Sequence, residues 1–225
     1  MAVQPNLTPP VTASAAPEPQ LPAHERIYRL LRNRILWGLL SPGEPLTLRG
    51  LAAELSVSMT PVREAVRRLA AEGALSVSAS GRFSAPELSA ERLEELASIR
   101  ALLEPELAAR ALPRAHFALI DRLDIMNHRV DETIVKDDVP GYLRTNLEFH
   151  RTLYLRAQAP AMLALTESIW LQAGPTMRAL YATKRRSEAT ANHRKILAAL
   201  RAGDEPGLRL AVRADVTQGL RMLIG

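Results

Sequence analysis

The chain contains no cysteine, so it can form neither a disulfide framework nor a thiolate metal site, and it suits a reducing compartment. No stretch is long and apolar enough to span a bilayer. Residues 1–22 hold six prolines, several alanines and one charged side chain, Glu18. They lack the basic start and continuous apolar run of a signal peptide and read as a disordered tail. These absences describe a soluble, cytoplasmic protein with no membrane partner. No Gly-rich phosphate loop, nucleophile elbow or cluster of carboxylates is found, which removes the usual grounds for reading an enzyme. From Ser89 onward there are few glycines, no alternating strand-like run and no internal repeat.

What is present is enough for two cores. At 225 residues with 47% hydrophobic content, the chain accommodates a small N-terminal module over 23–86 and a larger domain over 87–225. The net charge of +5 is unevenly placed: residues 23–86 carry nine Arg against five Glu, whereas 87–225 carry 20 basic against 18 acidic side chains. A surplus concentrated in the smaller module is what attraction to phosphates requires, although an ordinary solvated face would look the same.

The pattern over 23–86 separates these alternatives. Ile27, Leu30, Leu31, Ile35 and Leu36 repeat with a helical period and predict a first helix over His24–Trp37. Ser41-Pro42-Gly43 forces a turn. A second helix, Leu48–Leu55, buries Leu48, Leu51, Ala52 and Leu55, and Ala52 and Ala53 are small enough for a close crossing. Ser56 follows where glycine often supplies a left-handed conformation, at a cost of about 1–2 kcal/mol for a residue with a Cβ. A third helix opens at Ser58 or Thr60, both good N-caps, with Pro61 tolerated in its first turn. Val62, Ala65, Val66 and Leu69 face inward, so Arg63, Arg67 and Arg68 face outward. Two short strands around Gly81 complete a winged helix-turn-helix. In a major groove Arg63 can meet a guanine in bidentate fashion while Ser58, Thr60 and Arg68 hold phosphates.

The third helix reads Ser58-Met59-Thr60-Pro61-Val62-Arg63-Glu64-Ala65, which resembles the Ser-Arg-Thr-Pro-Val-Arg-Glu-Ala signature of the GntR family of bacterial transcription factors. Ser41-Pro42-Gly43, Leu51-Ala52, Val57-Ser58 and Glu72-Gly73 extend the likeness over 24–86. The resemblance implies that Arg49, Arg63 and the wing tip at Ser80-Gly81 approach DNA. Met59 departs from the pattern, because a thioether cannot make the bidentate contact of the arginine it replaces.

Beyond Ser89 helical stripes fall at 89–112, 114–137, 141–157, 160–182, 187–202 and 205–223, with Ser89 and Asp204 as N-caps. The fold class is therefore mainly α: a winged helix-turn-helix followed by an all-α bundle. Asn146 and His150 lie four apart on one helix face, and His193 lies on a later helix. By spacing alone these are more often hydrogen-bonded core residues than ligands. Ile99-Arg100-Ala101-Leu102-Leu103-Glu104, Phe149-His150 and His193 followed by Ala202-Gly203-Asp204 are similar to the FCD ligand-binding domain of the FadR subgroup. That resemblance implies a divalent metal, Zn²⁺, Mn²⁺ or Ni²⁺, on Asn146, His150, His193 and Asp215. It also implies a small organic acid beside the metal.

Arg100 is the candidate clamp for the acid, against a plain Arg100–Glu104 ion pair one turn apart. Trp170 and Tyr181 read as core or pocket lining. A homodimer repressing from a near-palindromic double-stranded operator, released by the acid, is the behaviour the family implies. The alternatives are a metal-dependent enzyme with a basic docking module and a DNA binder without effector.

Overall fold

A computed structural model describes residues 21–181 and 187–221. The expected tail, apart from residues 21 and 22, and the side chain of Tyr181 lie outside the described residues. The described chain runs α1 (Ala23–Leu36), β1 (Pro45–Leu46), α2 (Leu48–Glu54), α3 (Met59–Ala71), β2 (Ser76–Val77), β3 (Phe83–Ser84), α4 (Ala90–Ala111), α5 (Phe117–Val135), α6 (Val139–Tyr154), α7 (Pro160–Tyr181), α8 (Ser187–Ala202) and α9 (Glu205–Arg221).

In the first module α1 crosses α3, and α2 closes the triangle. Val62, Val66 and Leu69 of α3 are fully buried, each contributing about 1.5–3 kcal/mol of apolar burial. Ser56 takes the left-handed conformation, with φ 53°, so serine reproduces the glycine geometry of the turn. The Thr47 hydroxyl caps α2 by accepting from the Gly50 amide, 3.1 Å away. The wing is a three-stranded antiparallel sheet in the order β1-β3-β2, pairing Leu46 with Phe83 and Val77 with Phe83. Sequence reasoning found β2 and β3 but not β1, which at two residues is too short to show a period.

The bundle begins where Ser89 Oγ accepts from the Arg92 amide and α4 starts. α4 packs chiefly on α9, and α5 packs on α6 and α8. Asp138 caps α6 through the Gly141 amide, at 2.9 Å, and Asp204 caps α9 through the Gly207 amide, at 3.0 Å. The core is continuous from Ile27, Leu31 and Ile35 of the first module to Trp170 and Leu171 of the bundle.

The seam between module and bundle is built on α1 and α7. A Cβ on Gly174 would stand 2.4 Å from the Ile35 carbonyl oxygen, so only glycine allows α1 this close. Arg178 Nη1 donates to the Gly38 carbonyl at 3.1 Å, and Arg32 reaches Glu167 at 3.1 Å.

Candidate functional site

Two sites emerge, one on the surface and one buried. On the surface, α3 presents Arg63 and Arg67 to a groove that they share with Val77, Gly81 and Phe83 of the wing. Arg49 at the start of α2, Ser58 before α3, Thr60 in its first turn, and Ser80 and Gly81 at the wing tip are all exposed. Gly81 turns with φ 75°, and the Ser80 hydroxyl lies 3.0 Å from that of Ser78. Ser58 occupies the N-cap position of α3 without a side-chain hydrogen bond, which leaves its hydroxyl free for another acceptor. Arg49, Arg63 and Arg67 enter no ion pair among the described residues. Nor does Arg82, a wing residue that the sequence reading passed over. Its signal was present: a cation directly after the turn glycine.

Arg68 behaves differently from its neighbours. Its Nη1 meets Glu25 at 2.9 Å, its Nε meets Glu72 at 3.2 Å, and its guanidinium stacks 3.7 Å from the Tyr28 ring centroid. It ties α3 to α1 through these partners while its side chain stays half exposed. A phosphate contact by Arg68 would compete with these internal partners, of which Glu25 comes from α1 and Glu72 lies one turn on at the end of α3.

The buried site lies where α6, α8 and α9 converge. His150 Nε2 stands 3.0 Å from Asp215 Oδ2 and 3.3 Å from His193 Nε2. One ligand atom from each of these residues falls within 4.8 Å of the others. The outer atoms of the two rings are already committed. His193 Nδ1 lies 3.1 Å from Asn127 Oδ1 of α5, and His150 Nδ1 lies 3.2 Å from the Tyr154 hydroxyl. Phe149 stacks on His193 with centroids 4.0 Å apart. Asn146 lies one turn before His150 on α6 and is half-buried, without a hydrogen bond to the cluster among the described residues.

These outer bonds decide what faces inward. Tyr154 donates its hydroxyl proton to Glu104 Oε2 at 3.0 Å, so its oxygen can only accept from His150, and His150 Nδ1 must be the protonated nitrogen. Asn127 Oδ1, likewise an acceptor, puts the proton of His193 on Nδ1. His150 Nε2 then faces both Asp215 Oδ2 and His193 Nε2, an arrangement that calls for a proton or a cation among the three. Such neutral imidazoles, each held by an outer hydrogen bond, with one carboxylate form a donor set that fits a divalent transition metal.

Electrostatics agree with this arrangement. Burial lowers His193 to about 4 against a smaller upward pull from Asp215, so it is a neutral imidazole at neutral pH. Burial pushes Asp215 upward, but without a metal a proton shared with His150 Nε2, 3.0 Å away, and the positive charge the histidines and Arg100 can carry hold it below the usual carboxylate range. Burial and the neighbouring Glu104 charge drive Tyr154 well above its ordinary value, which keeps it a proton donor.

Glu104, fully buried, accepts from Arg100 Nε at 2.5 Å, Arg100 Nη2 at 3.4 Å, Tyr154 and Trp170 Nε1 at 2.9 Å. The Arg100–Glu104 pair is thus real and buried. It leaves Arg100 Nη1 as the one nitrogen of the fork without a partner among the described residues. Asn127 and Tyr154 escaped the sequence reading, and Glu104 entered it only as the partner of Arg100, although Tyr154 lies one turn after His150 on the same face of α6.

Residues 23–83 match the model for bacterial regulatory proteins of the gntR family, and residues 95–218 match the FCD domain. The transcriptional regulator McbR of Escherichia coli K12 is 30% identical over 86% of this chain and 89% of its own. This chain belongs to the GntR family. Within the family it combines the helix-turn-helix domain with an FCD domain, as the FadR-like subgroup does. The solved structure of E. coli McbR superposes with a TM-score of 0.84, covering 91% of this chain and 98% of that one at 28% identity. The transcriptional repressor RspR of E. coli K12 is 26% identical over 64% of this chain and 63% of its own. As a GntR regulator with an FCD ligand-binding domain, the protein is a DNA-binding transcriptional regulator. No described helix is long and apolar enough to cross a membrane.

Proposed function

We propose that the protein is an effector-controlled repressor that binds a near-palindromic operator as a homodimer, each winged module reading one half-site. Arg63 reads a base edge, and Arg49, Arg67, Ser58, Thr60, Ser80 and Gly81 position the module on the backbone. The effector is a small organic acid bound in the FCD bundle beside a divalent metal, Zn²⁺, Mn²⁺ or Ni²⁺. His150, His193 and Asp215 hold that metal, with the Asn146 carbonyl oxygen completing the set. When bound, the metal supplies a cationic anchor for the acid's carboxylate. Arg100 Nη1 takes the acid's remaining oxygen.

The convergence of two imidazole lone pairs and a carboxylate in a buried site carries the effector half of this reading. The unpaired arginines around the α3 groove carry the operator half. Release follows if the effector prefers the arrangement of modules that fits the operator poorly.

Selection of bound fragments from the source genome, using full-length protein at near-physiological salt with Arg63→Ala beside it, tests the reading. A short palindrome enriched by the wild type and lost in the variant is the expected result. No enriched sequence would overturn the operator-reading dimer. Adding stoichiometric Zn²⁺, and then small carboxylic acids, to the protein–operator complex tests effector control.

A further inference from the structure

The buried cluster is joined to the DNA-binding module by an unbroken chain of hydrogen bonds and close contacts. His150 Nδ1 meets the Tyr154 hydroxyl, Tyr154 donates to one oxygen of Glu104, and Trp170 Nε1 donates to the other. Trp170 lies on α7, and Gly174 one turn later on the same helix holds the Ile35 carbonyl of α1 at backbone contact. Pro175 follows inside the helix, and lacking an amide proton it leaves the Leu171 carbonyl without its helical donor, a place where α7 can bend. Arg178, a turn further, grips the Gly38 carbonyl at the end of α1.

We propose that Tyr154, Glu104 and Trp170 are a positioning relay: Tyr154, held by Glu104, fixes which nitrogen of His150 faces the cluster, and Glu104 and Trp170 pass a change at the cluster to α7 and so to the seat of the winged module. This inference rests on the reading of His150 as a metal ligand. The Glu104 carboxylate is the pivot, because Arg100 fixes its charge in place while its two oxygens serve one donor on each side.

Two arrangements of the cluster follow from its chemistry. Without a metal a proton shared by His150 Nε2 and Asp215 Oδ2 holds those two atoms 3.0 Å apart, and a metal would displace that proton and draw both imidazoles and the carboxylate to a common centre. His150 cannot shift without moving the Tyr154 hydroxyl to which it donates. Glu104 is fully buried and held by Arg100 as well, so it transmits the movement rather than absorbing it. The bend beside Gly174 converts a small displacement of Trp170 into a change of angle where α1 sits.

The test uses full-length protein with Zn²⁺ alone as the probe. Tyr154→Phe removes the acceptor of His150 Nδ1 and keeps the ring. Its Zn²⁺ affinity by calorimetry falls roughly 10- to 100-fold, and the ¹⁵N shifts of the His150 ring in metal-free protein change from the single tautomer of the wild type to a mixture. Trp170→Phe cuts the other side: Zn²⁺ affinity stays at the wild-type value, while the Zn²⁺-dependent change in amide exchange across α1 disappears. Should that variant fold poorly, Gly174→Ala separates α1 from α7 without touching the cluster and must give the same pattern.

A wild-type response in α1 from folded Trp170→Phe or Gly174→Ala, or an unchanged Zn²⁺ affinity in Tyr154→Phe, overturns the relay. Wild-type protein that binds Zn²⁺ with no response in α1 overturns it too, and leaves the metal site standing. Failure to bind Zn²⁺ removes the metal site and the relay together.

Discussion

Arg63 and Arg100 are the same side chain put to opposite uses. On the winged module, Arg49, Arg63, Arg67 and Arg82 are exposed and unpaired among the described residues. In the bundle, Arg100 is buried and bound through Nε and Nη2 to a carboxylate with no solvent access. A cation in water needs no internal partner and remains available to a polyanion. A cation out of water must be paired, and the pair then becomes a fixed part of the structure. Arg68 marks the border between the two, exposed yet drawn into Glu25, Glu72 and the face of Tyr28.

The sharpest way to test this contrast is to remove the buried partner. Glu104→Ala leaves Arg100 uncompensated and strips Tyr154 and Trp170 of their acceptor, so unfolding stability in urea falls by about 3–5 kcal/mol. A loss no larger than a typical surface substitution would mean that Arg100 finds water.

Acid probes the bundle next. Folded His193 is held at about 4 against an ordinary 6.5. As pH falls from 6.5 toward 4, the unfolded chain takes up a proton that the folded protein refuses. Stability that is fully present above 6.5 is therefore lost across that window, by about 3 kcal/mol at about 1.36 kcal/mol per unit. Asp215, held below the usual carboxylate range, gives up its contribution at still lower pH. Denaturation near neutrality and near pH 4, compared between wild type and His193→Asn, checks the sign and the size.

On the module the effects move from stability to binding. Arg63→Ala costs about 1–3 kcal/mol of discrimination between operator and altered sites, while its unfolding midpoint stays put. Arg68→Ala gives the reverse: about 1 kcal/mol of stability from a half-exposed ion pair and a stacked ring, with sequence preference intact. If titrations at several salt concentrations gave the two variants the same behaviour, the division between free and captured arginines would be wrong. The smallest change is Met59→Arg, on an exposed residue at the start of α3, which alters preference at one operator position with no change in stability. Identical site selections for the two proteins would remove Met59 from the reading surface.

Much of the fold was legible because it is local. The helical stripes gave every described helix to within a few residues, and Ser89 and Asp204 cap α4 and α9 as hydroxyl and carboxylate side chains before an apolar run do. His150 and His193 were singled out by resemblance rather than spacing, since two histidines 43 residues apart carry no pattern of their own. Asn127 could not be found that way, nor could the links of Glu104 to Tyr154 and Trp170. Each becomes part of the site only when helices that are distant in sequence are packed together.

The sequence by itself determined the element types, the cap positions, the outward face of α3 and the concentration of positive charge in the first module, because all of these depend on neighbours within a few residues or on composition. Tertiary structure alone decided which arginines are free, which outer partner holds each buried histidine, and that Gly174 rests on the Ile35 carbonyl. Those properties belong to atoms brought within a few ångströms by the packing of separate helices, and in a dry interior each polar atom's partner is whatever the packing supplies.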